Sequence, residues 1–372
     1  MSENSFFEQD LTARINKRKE AGLLRSLMVN NHLIDFCSND YIGFSQHPNL
    51  YITPEETKKS GSTGSRLISG NSIIAEETEQ LIAKYHDTPA ALIFNTGYMA
   101  NVGLLACLPE KDDTYIYDEF VHASMIDGMR LSLAKRYKFK HNSLLDLEQK
   151  LRAASGSIYV AVESVYSMDG DVAPLKAIAK LCTQYKAALI VDEAHAVGIF
   201  GKDGKGLVNE LGMENIVFAR IVTFGKALGL HGAAVLGSKT LREYMINFAR
   251  SFIYTTALPP HYYIQIQEAY KLLPQANRKK LFSLINVFKD AIKEIKQASF
   301  IDSPSPIQGI VLGDNNKAVQ LAKHLKQQGF FTKAILSPTV PKGTERLRIC
   351  LHSFNTEKEI YKLVNEIQVF LK

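Results

Sequence analysis

The 372-residue chain contains no tryptophan and only four cysteines, Cys37, Cys107, Cys182 and Cys350, which lie far apart. They form no CxxC pair or other metal-ligand spacing, so we expect reduced thiols rather than disulfides or a zinc site. No run of about 18 apolar residues is present, and the first twenty residues lack the apolar core of a signal peptide. We therefore expect a cytoplasmic protein that is not embedded in a membrane.

The chain also lacks a concentrated charge of either sign. Its formal net charge is +6, and the basic residues are dispersed without a polybasic arm, so nucleic-acid binding has little support. The mild positive charge favours an acidic partner or a phosphorylated small molecule. With 46% hydrophobic and 22% charged residues, the composition is that of a folded chain, long enough for one large domain and a smaller one.

Short apolar runs alternate with helical patterns between about residues 89 and 236. Because the runs are apolar throughout and rich in Val, Ile and Tyr, they predict strands of a mostly parallel sheet covered on both faces. The runs are AALIFN, TYIYDE, GSIYVAVESVYS, AALIVDEAH, ARIVTFG and GAAVLG. A helical pattern follows over 262–297. Short strands (GIVLG, FTKAIL, ERLRICLH) then mix with helices near 317–328 and 357–371.

These patterns predict an α/β fold with three parts. Residues 1–38 form an N-terminal helix and hairpin, 39–270 a large domain whose mostly parallel sheet is flanked by helices, and 271–372 a smaller C-terminal α+β domain. In open α/β sheets, ligands bind beyond the carboxyl ends of the strands. The polar segments that follow the predicted strands are 95–98, 118–122, 163–167, 192–195 and 223–226.

The segment LIVDEAHAVGIFGKDGKG, residues 189–206, has the acidic strand end of a DEAH-type ATPase. Such an enzyme needs a G-x-x-x-x-G-K-[ST] loop, whose amides, lysine and hydroxyl hold the phosphates and magnesium. The chain has no such string. GIFGKDGKG lacks the Ser or Thr and follows the acidic strand instead of preceding it, so a nucleotide motor is the disfavoured alternative.

Lys226 follows an apolar run in TFGKALG, between small residues that can admit a lysine into a cleft. A buried lysine has a lowered pKa and can form a Schiff base. Pyridoxal phosphate enzymes combine such a lysine with an acidic partner for the pyridine nitrogen and with a phosphate cup. Asp192 can be that partner, with His195 near the phenolic oxygen. The helix start after LIFNTGYMAN can be the cup, aided by the Thr223 hydroxyl.

Eight strings of the chain resemble, in order, those of the α-oxoamine synthases over about residues 25–348. They are SNDYIGFSQHP, GSTGSRLISGN, FNTGYMAN, HASMIDG, ESVYSMDGDVAPL, VDEAHAVGIFGKDGKG, TFGKALGLHGAAVLGS and IYTTALPP. These fold-type-I pyridoxal phosphate transferases condense an amino acid with an acyl thioester and release carbon dioxide. TFGKALGLHGAAVLGS and SPTVPKGTERLRICL are most similar to members that join L-alanine to a pimeloyl thioester in biotin biosynthesis. Glycine-using acetyltransferases and serine-using long-chain acyltransferases are the alternatives within the family.

The resemblance implies a role for each matching residue and implies no metal. The catalytic residues would be Lys226, which binds the cofactor covalently, Asp192, which contacts the ring nitrogen, and His122, which stacks on the ring. Further cofactor contacts would be Gly97, Tyr98, Ser167, His195 and Thr223, with Thr255 reaching across from the neighbouring subunit of a homodimer. Asn39, Ser65 and Arg348 would bind the amino-acid carboxylate, and Arg25 and Thr339 the acyl substrate. The acyl donor could be coenzyme A or an acyl carrier protein, and the positive net charge favours the acidic carrier.

Three of these residues also have simpler explanations. His122 could only cap the helix ASMIDGMRLS, Arg25 could lie on the solvated face of a basic amphipathic helix, and Arg348 could pair with a surface carboxylate. The chain departs from the family pattern at Ala75, where many members carry a histidine, and in the short region before Cys37. Both departures leave recognition of the acyl chain open.

Overall fold

The structure, a computed structural model, describes residues 3–30, 32–51 and 59–372. Its helices are α1 (Glu3–Glu20), α2 (Ile73–Tyr85), α3 (Gly97–Cys107), α4 (Ala123–Leu131), α5 (Leu144–Ala153), α6 (Leu175–Gln184), α7 (Leu207–Glu210), α8 (Lys239–Phe248), α9 (Arg250–Ile253), α10 (Pro260–Leu272), α11 (Arg278–Ile292), α12 (Asn315–Gln327) and α13 (Glu357–Leu371). Its strands are β1 (Ile34–Asp35), β2 (Ala90–Phe94), β3 (Thr114–Asp118), β4 (Lys135–Phe139), β5 (Ile158–Glu163), β6 (Ala188–Asp192), β7 (Ala219–Thr223), β8 (Ala233–Gly237), β9 (Ser299–Phe300), β10 (Ile307–Val311), β11 (Phe330–Phe331), β12 (Lys333–Ile335) and β13 (Arg346–Cys350). No helix within the described ranges has the length and apolar character needed to cross a membrane.

A seven-stranded sheet forms the centre of the chain, in the order β2-β8-β7-β6-β5-β3-β4. All neighbouring strands are parallel except at β8, which runs antiparallel to both β2 and β7. Every residue of β2 and β7 is buried, as expected for strands that are apolar throughout and covered on both faces. The predicted α/β fold with a mostly parallel sheet is confirmed.

The C-terminal part has its own four-stranded antiparallel sheet, in the order β12-β13-β10-β9. The helical pattern over 262–297 forms two helices, α10 and α11, separated by a 3₁₀ turn that contains Pro274. Proline has no backbone N–H and its ring clashes with the preceding helical turn, which explains the interruption.

The N-terminal segment differs from its prediction. In place of a hairpin, β1 pairs in parallel with β11, with Ile34 opposite Phe330, so this segment is joined to the C-terminal part. Helix α1 ends at Glu20, and Arg25 lies exposed beyond it. The explanation of Arg25 as a helix-face residue is therefore wrong. The division at residues 38 and 270 stays a proposal.

An ion cluster joins the end of β3, the loop after β4 and the loop after β5 at the carboxyl edge of the large sheet. His141 Nδ1 lies 2.9 Å from Asp118 Oδ1, and His141 Nε2 lies 2.7 Å from Asp171 Oδ2. The ring also stacks on Phe120, with centroids 4.4 Å apart. Burial alone would lower the pKa of His141, but the hydrogen bonds to Asp118 and Asp171 outweigh it and raise the pKa to about 9. The cluster thereby holds the loop that leads to His122 against the loop after β5.

Replacing His141 with glutamine is expected to remove a pH-dependent part of the stability. Because the folded state raises the pKa of this histidine, its contribution is complete below the ordinary value of about 6.5 and is lost as the pH rises through about 9. Between about pH 6.5 and pH 9, the free energy of unfolding measured in urea should fall by about 2–3 kcal/mol more for the wild type than for His141→Gln. His32→Gln, at an exposed histidine, should keep the wild-type slope. A His141→Gln variant with the wild-type slope would contradict the charged cluster.

Candidate active site

A cavity of about 260 Å³ lies beyond the carboxyl ends of β2, β3, β5, β6 and β7. Of the residues predicted from the sequence, it is lined by Gly97, Tyr98, His122, Asp192, Thr223 and Lys226. The other lining residues are Thr96, Asn101, Ser124, Glu163, Ala194, Gly225, His231 and Gly232. The main chemical groups predicted from distant parts of the sequence therefore line one cavity.

Lys226 follows β7 and is half-buried. Its Nζ lies 2.7 Å from Nε2 of the buried His195. Burial lowers the pKa of Lys226 to about 8, against the opposing effect of the Asp192 and Glu163 carboxyl groups. Burial, with Lys226 beside it, also holds the pKa of His195 well below its ordinary value. A lysine with this pKa has an appreciable neutral, nucleophilic fraction near neutral pH.

The carboxylate of Asp192 is buried at the end of β6 and is held by two donors. Its Oδ1 accepts the backbone N–H of Ala194 at 2.9 Å, and its Oδ2 accepts Asn101 Nδ2 at 2.8 Å. Asn101 also donates to Ser124 Oγ at 3.0 Å. The sequence reasoning missed Asn101, although it lies four residues after Gly97 in the quoted GYMAN string, and thus on the same face of helix α3.

The start of helix α3 forms an anion cradle at the edge of the cavity. The hydroxyl of Thr96 accepts the N–H of Met99 at 3.1 Å, which leaves the first-turn amides of Gly97 and Tyr98 without a helical partner. A Cβ atom at Gly97 would lie 2.6 Å from Cγ2 of Thr223, so the backbone approaches Thr223 too closely for any other residue. Free amides and the helix dipole at such a terminus favour a phosphate group.

His122 both caps a helix and faces the cavity. Its Nδ1 accepts the N–H of Ser124 at 3.2 Å and lies 2.7 Å from the Ser124 hydroxyl, so the helix-cap explanation holds. Burial lowers the pKa of His122, and the charge of Asp192 opposes that shift. Since Nδ1 accepts a hydrogen bond, the neutral ring carries its proton on Nε2.

Arg348, on β13, connects the C-terminal sheet to this site. Its Nε donates to the backbone oxygen of Ser167 at 2.8 Å, and its Nη2 donates to Asn39 Oδ1 at 3.0 Å. The hydroxyl of Tyr41 donates to the same Asn39 oxygen at 3.0 Å and lies 2.8 Å from His195 Nδ1. Arg348 is buried, so the surface-pair explanation is wrong. Tyr41 was missed, although SNDY contains it.

The tautomer of His195 follows from these contacts. The Tyr41 hydroxyl donates its single proton to Asn39, so it accepts the Nδ1–H of His195. His195 Nε2 is then the acceptor that faces Lys226. Asn39 and Lys226 also line a second cavity of about 480 Å³. Lys226 is thus open to space on both sides.

Four predicted residues lie away from the Lys226 cavity. Arg25 and Thr339 line a separate groove of about 890 Å³ between the N-terminal segment and the C-terminal sheet. Ser65 and Thr255 lie together on another surface, where Ala257 N–H donates to Gly64 O at 2.9 Å and Thr255 Oγ1 accepts Asn95 Nδ2 at 3.4 Å. Within this one chain, therefore, these four residues are not part of the cavity.

Ala75, where many members of the family carry a histidine, is buried. It lies in the first turn of helix α2 and is fully covered.

Comparisons with known proteins agree with the fold and the site. The family model for aminotransferase class I and II matches residues 31–367. The 8-amino-7-oxononanoate synthase of Emericella nidulans is 39% identical, and the match covers 96% of this chain and 94% of that protein.

Solved structures match over almost the whole chain. Serine palmitoyltransferase from S. paucimobilis, solved with a bound PLP-myriocin aldimine, superposes with a TM-score of 0.91 at 27% identity, covering 100% of this chain and 98% of that chain. The 8-amino-7-oxononanoate synthase of Francisella tularensis superposes with a TM-score of 0.78 at 32% identity, covering 91% and 97%. The chain therefore belongs to the aminotransferase class I and II family, and the predicted resemblance to the α-oxoamine synthases is confirmed.

Proposed function

We propose that the protein is a pyridoxal phosphate-dependent acyltransferase that condenses L-alanine with a pimeloyl thioester. The products are 8-amino-7-oxononanoate, carbon dioxide and the free thiol. The observation that carries this proposal is the cavity that places Lys226 and Asp192 beside the anion cradle of helix α3. The matches to 8-amino-7-oxononanoate synthases, two of which are given above, support the choice of substrates.

The described residues fit pyridoxal phosphate in charge and in shape. Lys226 would bind its aldehyde, Asp192 would hold a proton on its ring nitrogen, and His195 would lie beside its phenolic oxygen. Ser167 would also touch the cofactor. Gly97, Tyr98 and Thr223 would receive its phosphate, since no side chain fills the cradle at Gly97. When bound, the cofactor supplies an electron-withdrawing ring that stabilises negative charge on the α-carbon of an attached amino acid.

The remaining chemistry belongs to side chains of the protein. Lys226 Nζ would accept the α-proton of the amino acid, because a pKa of about 8 is close to neutral pH, as suits a general base. Arg348 and Asn39 would bind the amino-acid carboxylate. His122 Nε2–H can donate to the oxygen that becomes negative when the thioester carbonyl is attacked.

The 890 Å³ groove suits the acyl substrate. Its walls include the apolar Leu24, Leu27, Phe330 and Ile335, which can cover a hydrocarbon chain. Arg25 and Thr339 would bind the polar end of that chain. Five basic residues also line the groove: Arg18, Arg25, Lys323, Lys326 and Lys333. This concentration of positive charge would attract the acidic surface of an acyl carrier protein and equally the phosphates of coenzyme A.

The surface that carries Ser65 and Thr255 suits a homodimer. Ile68 and Tyr254 on this surface are 85% and 72% exposed, and large apolar side chains grouped in this way typify interfaces. A second copy packed here would bring Ser65 and Thr255 toward the Lys226 cavity of its neighbour. The cytoplasmic location stays a prediction.

Replacing Lys226 with alanine is expected to abolish covalent capture of the cofactor. Wild-type protein treated with pyridoxal phosphate and borohydride should gain a fixed mass adduct on the peptide that contains residue 226. Lys226→Ala should show no such adduct and should lose activity by at least about 10³-fold. Lys239→Ala, at an exposed lysine, is the matched control and should behave as the wild type. An adduct that persists in Lys226→Ala would move the covalent site to another lysine.

Thiol release and product mass identify the substrates. With a pimeloyl thioester, alanine should support turnover at least about ten times faster than glycine or serine, which is the scale set by one small side-chain group. Serine is the specific rival, because serine palmitoyltransferase superposes closely on the chain. Faster turnover with serine and a long-chain acyl donor would show that these, and not alanine and a pimeloyl thioester, are the substrates. The ratio of the rates with pimeloyl-coenzyme A and with the carrier-bound donor identifies which of the two anionic donors the groove binds.

A further inference from the structure

Glu163 is a second carboxyl group in the Lys226 cavity. It ends β5, is 3% exposed, and lies opposite Asp192 in the parallel pairing of β5 with β6. Neighbouring strands are about 4.8 Å apart and paired residues point to the same face. Both residues line the cavity, so two carboxyl groups stand side by side in a space that excludes most water.

The two carboxyl groups differ in their hydrogen bonds. Asp192 has a donor on each oxygen, whereas Oε1 of Glu163 is buried with no hydrogen-bond partner among the described residues. A buried anion with an unpaired oxygen is costly, and adjacent carboxylates cannot both ionise easily. The neutral acid is therefore expected at Glu163 and the anion at Asp192.

Three charged groups and one backbone N–H surround Glu163. Burial raises the pKa of Glu163 to about 8, and the charges of Asp192 and Asp118 act in the same direction. Lys226 and the backbone N–H of His122 lower it. Glu163 and Lys226 thus titrate in the same pH range, and ionisation of one changes the proton affinity of the other.

We propose that Glu163 is a positioning residue that stays neutral so that Asp192 is the single anion facing the cofactor ring, and whose ionisation strengthens the hold of Lys226 on its proton. The proposal rests on the proposed cofactor site. Lys226 must be a neutral amine to attack an aldehyde. An ionised Glu163 adds a second negative charge near that amine and so reduces its neutral fraction at a given pH.

Glu163→Gln isolates this effect, because glutamine has the shape of the neutral acid and cannot ionise. The rate at which cofactor-free protein captures pyridoxal phosphate would be followed by visible absorbance from pH 6 to 10. At pH 6–7 the variant should match the wild type within about twofold. Above pH 7 the variant should reach half of its maximal rate about one pH unit lower than the wild type, the smallest shift typical of a nearby charge. Glu163→Asp keeps an ionisable group and should keep the two-group profile.

Two results of this capture experiment would overturn the proposal. Superimposed profiles for wild type and Glu163→Gln would mean that ionisation at 163 has no effect on Lys226. A rate more than about tenfold higher for Glu163→Gln at pH 6–7 would mean that the native group is already an anion there, because its removal would lower the proton affinity of Lys226. A wild type that captures no pyridoxal phosphate would instead contradict the proposed function.

An infrared measurement tests Glu163 without the cofactor and does not depend on folding of the glutamine variant. Wild-type protein should show the carbonyl band of a protonated carboxylic acid at pH 6–7, which fades around pH 8. The band should be absent from Glu163→Gln and displaced in Glu163→Asp. A wild type without this band at pH 6–7 would overturn the proposal, whether or not the cofactor binds.

Discussion

The site depends on the parallel pairing of β5, β6 and β7, which brings the residues at their carboxyl ends to one edge of the sheet. Glu163, Asp192 and Lys226 are distant in the sequence, yet each follows or ends one of these strands. Because parallel strands share a direction, their carboxyl ends must lie together. Strand β8 lies between β2 and β7 and is antiparallel to both. Strands β2 and β7 therefore run in the same direction, so the carboxyl end of β2 and the cradle of helix α3 lie at the same edge.

Burial at this edge shifts the pKa values of the side chains in a way that solvent-exposed residues would not show. Burial lowers the pKa of Lys226 and that of His195, and the Asp192 carboxylate accepts two hydrogen bonds. Arg348 and Tyr41 extend this network to the C-terminal sheet. The position of the C-terminal part is thereby linked to Lys226 through Arg348, Asn39, Tyr41 and His195.

Strands that are covered on both faces could be predicted from the sequence, because short unbroken apolar runs such as AALIFN are typical of strands in a buried sheet. Strand β4 could not, since its KRYKF sequence is that of an exposed edge, where charged residues prevent unwanted pairing. The pairing of β1 with β11 joins two-residue strands across about 300 residues, and no local pattern specifies it. Residues whose chemistry is distinctive, such as Lys226 and Asp192, were found from motifs. Asn101, Tyr41 and Glu163 act through a neighbour, and only the structure shows which neighbour that is.

The central claim is that Lys226 and Asp192 hold one pyridoxal phosphate molecule between them. A crystal structure of the protein grown with pyridoxal phosphate tests it most directly. We predict continuous electron density from Lys226 Nζ to the cofactor, an Asp192 oxygen within about 3 Å of the ring nitrogen, and the phosphate at the amides of Gly97 and Tyr98. A cofactor bound elsewhere, or a ring whose nitrogen faces away from Asp192, would contradict the account.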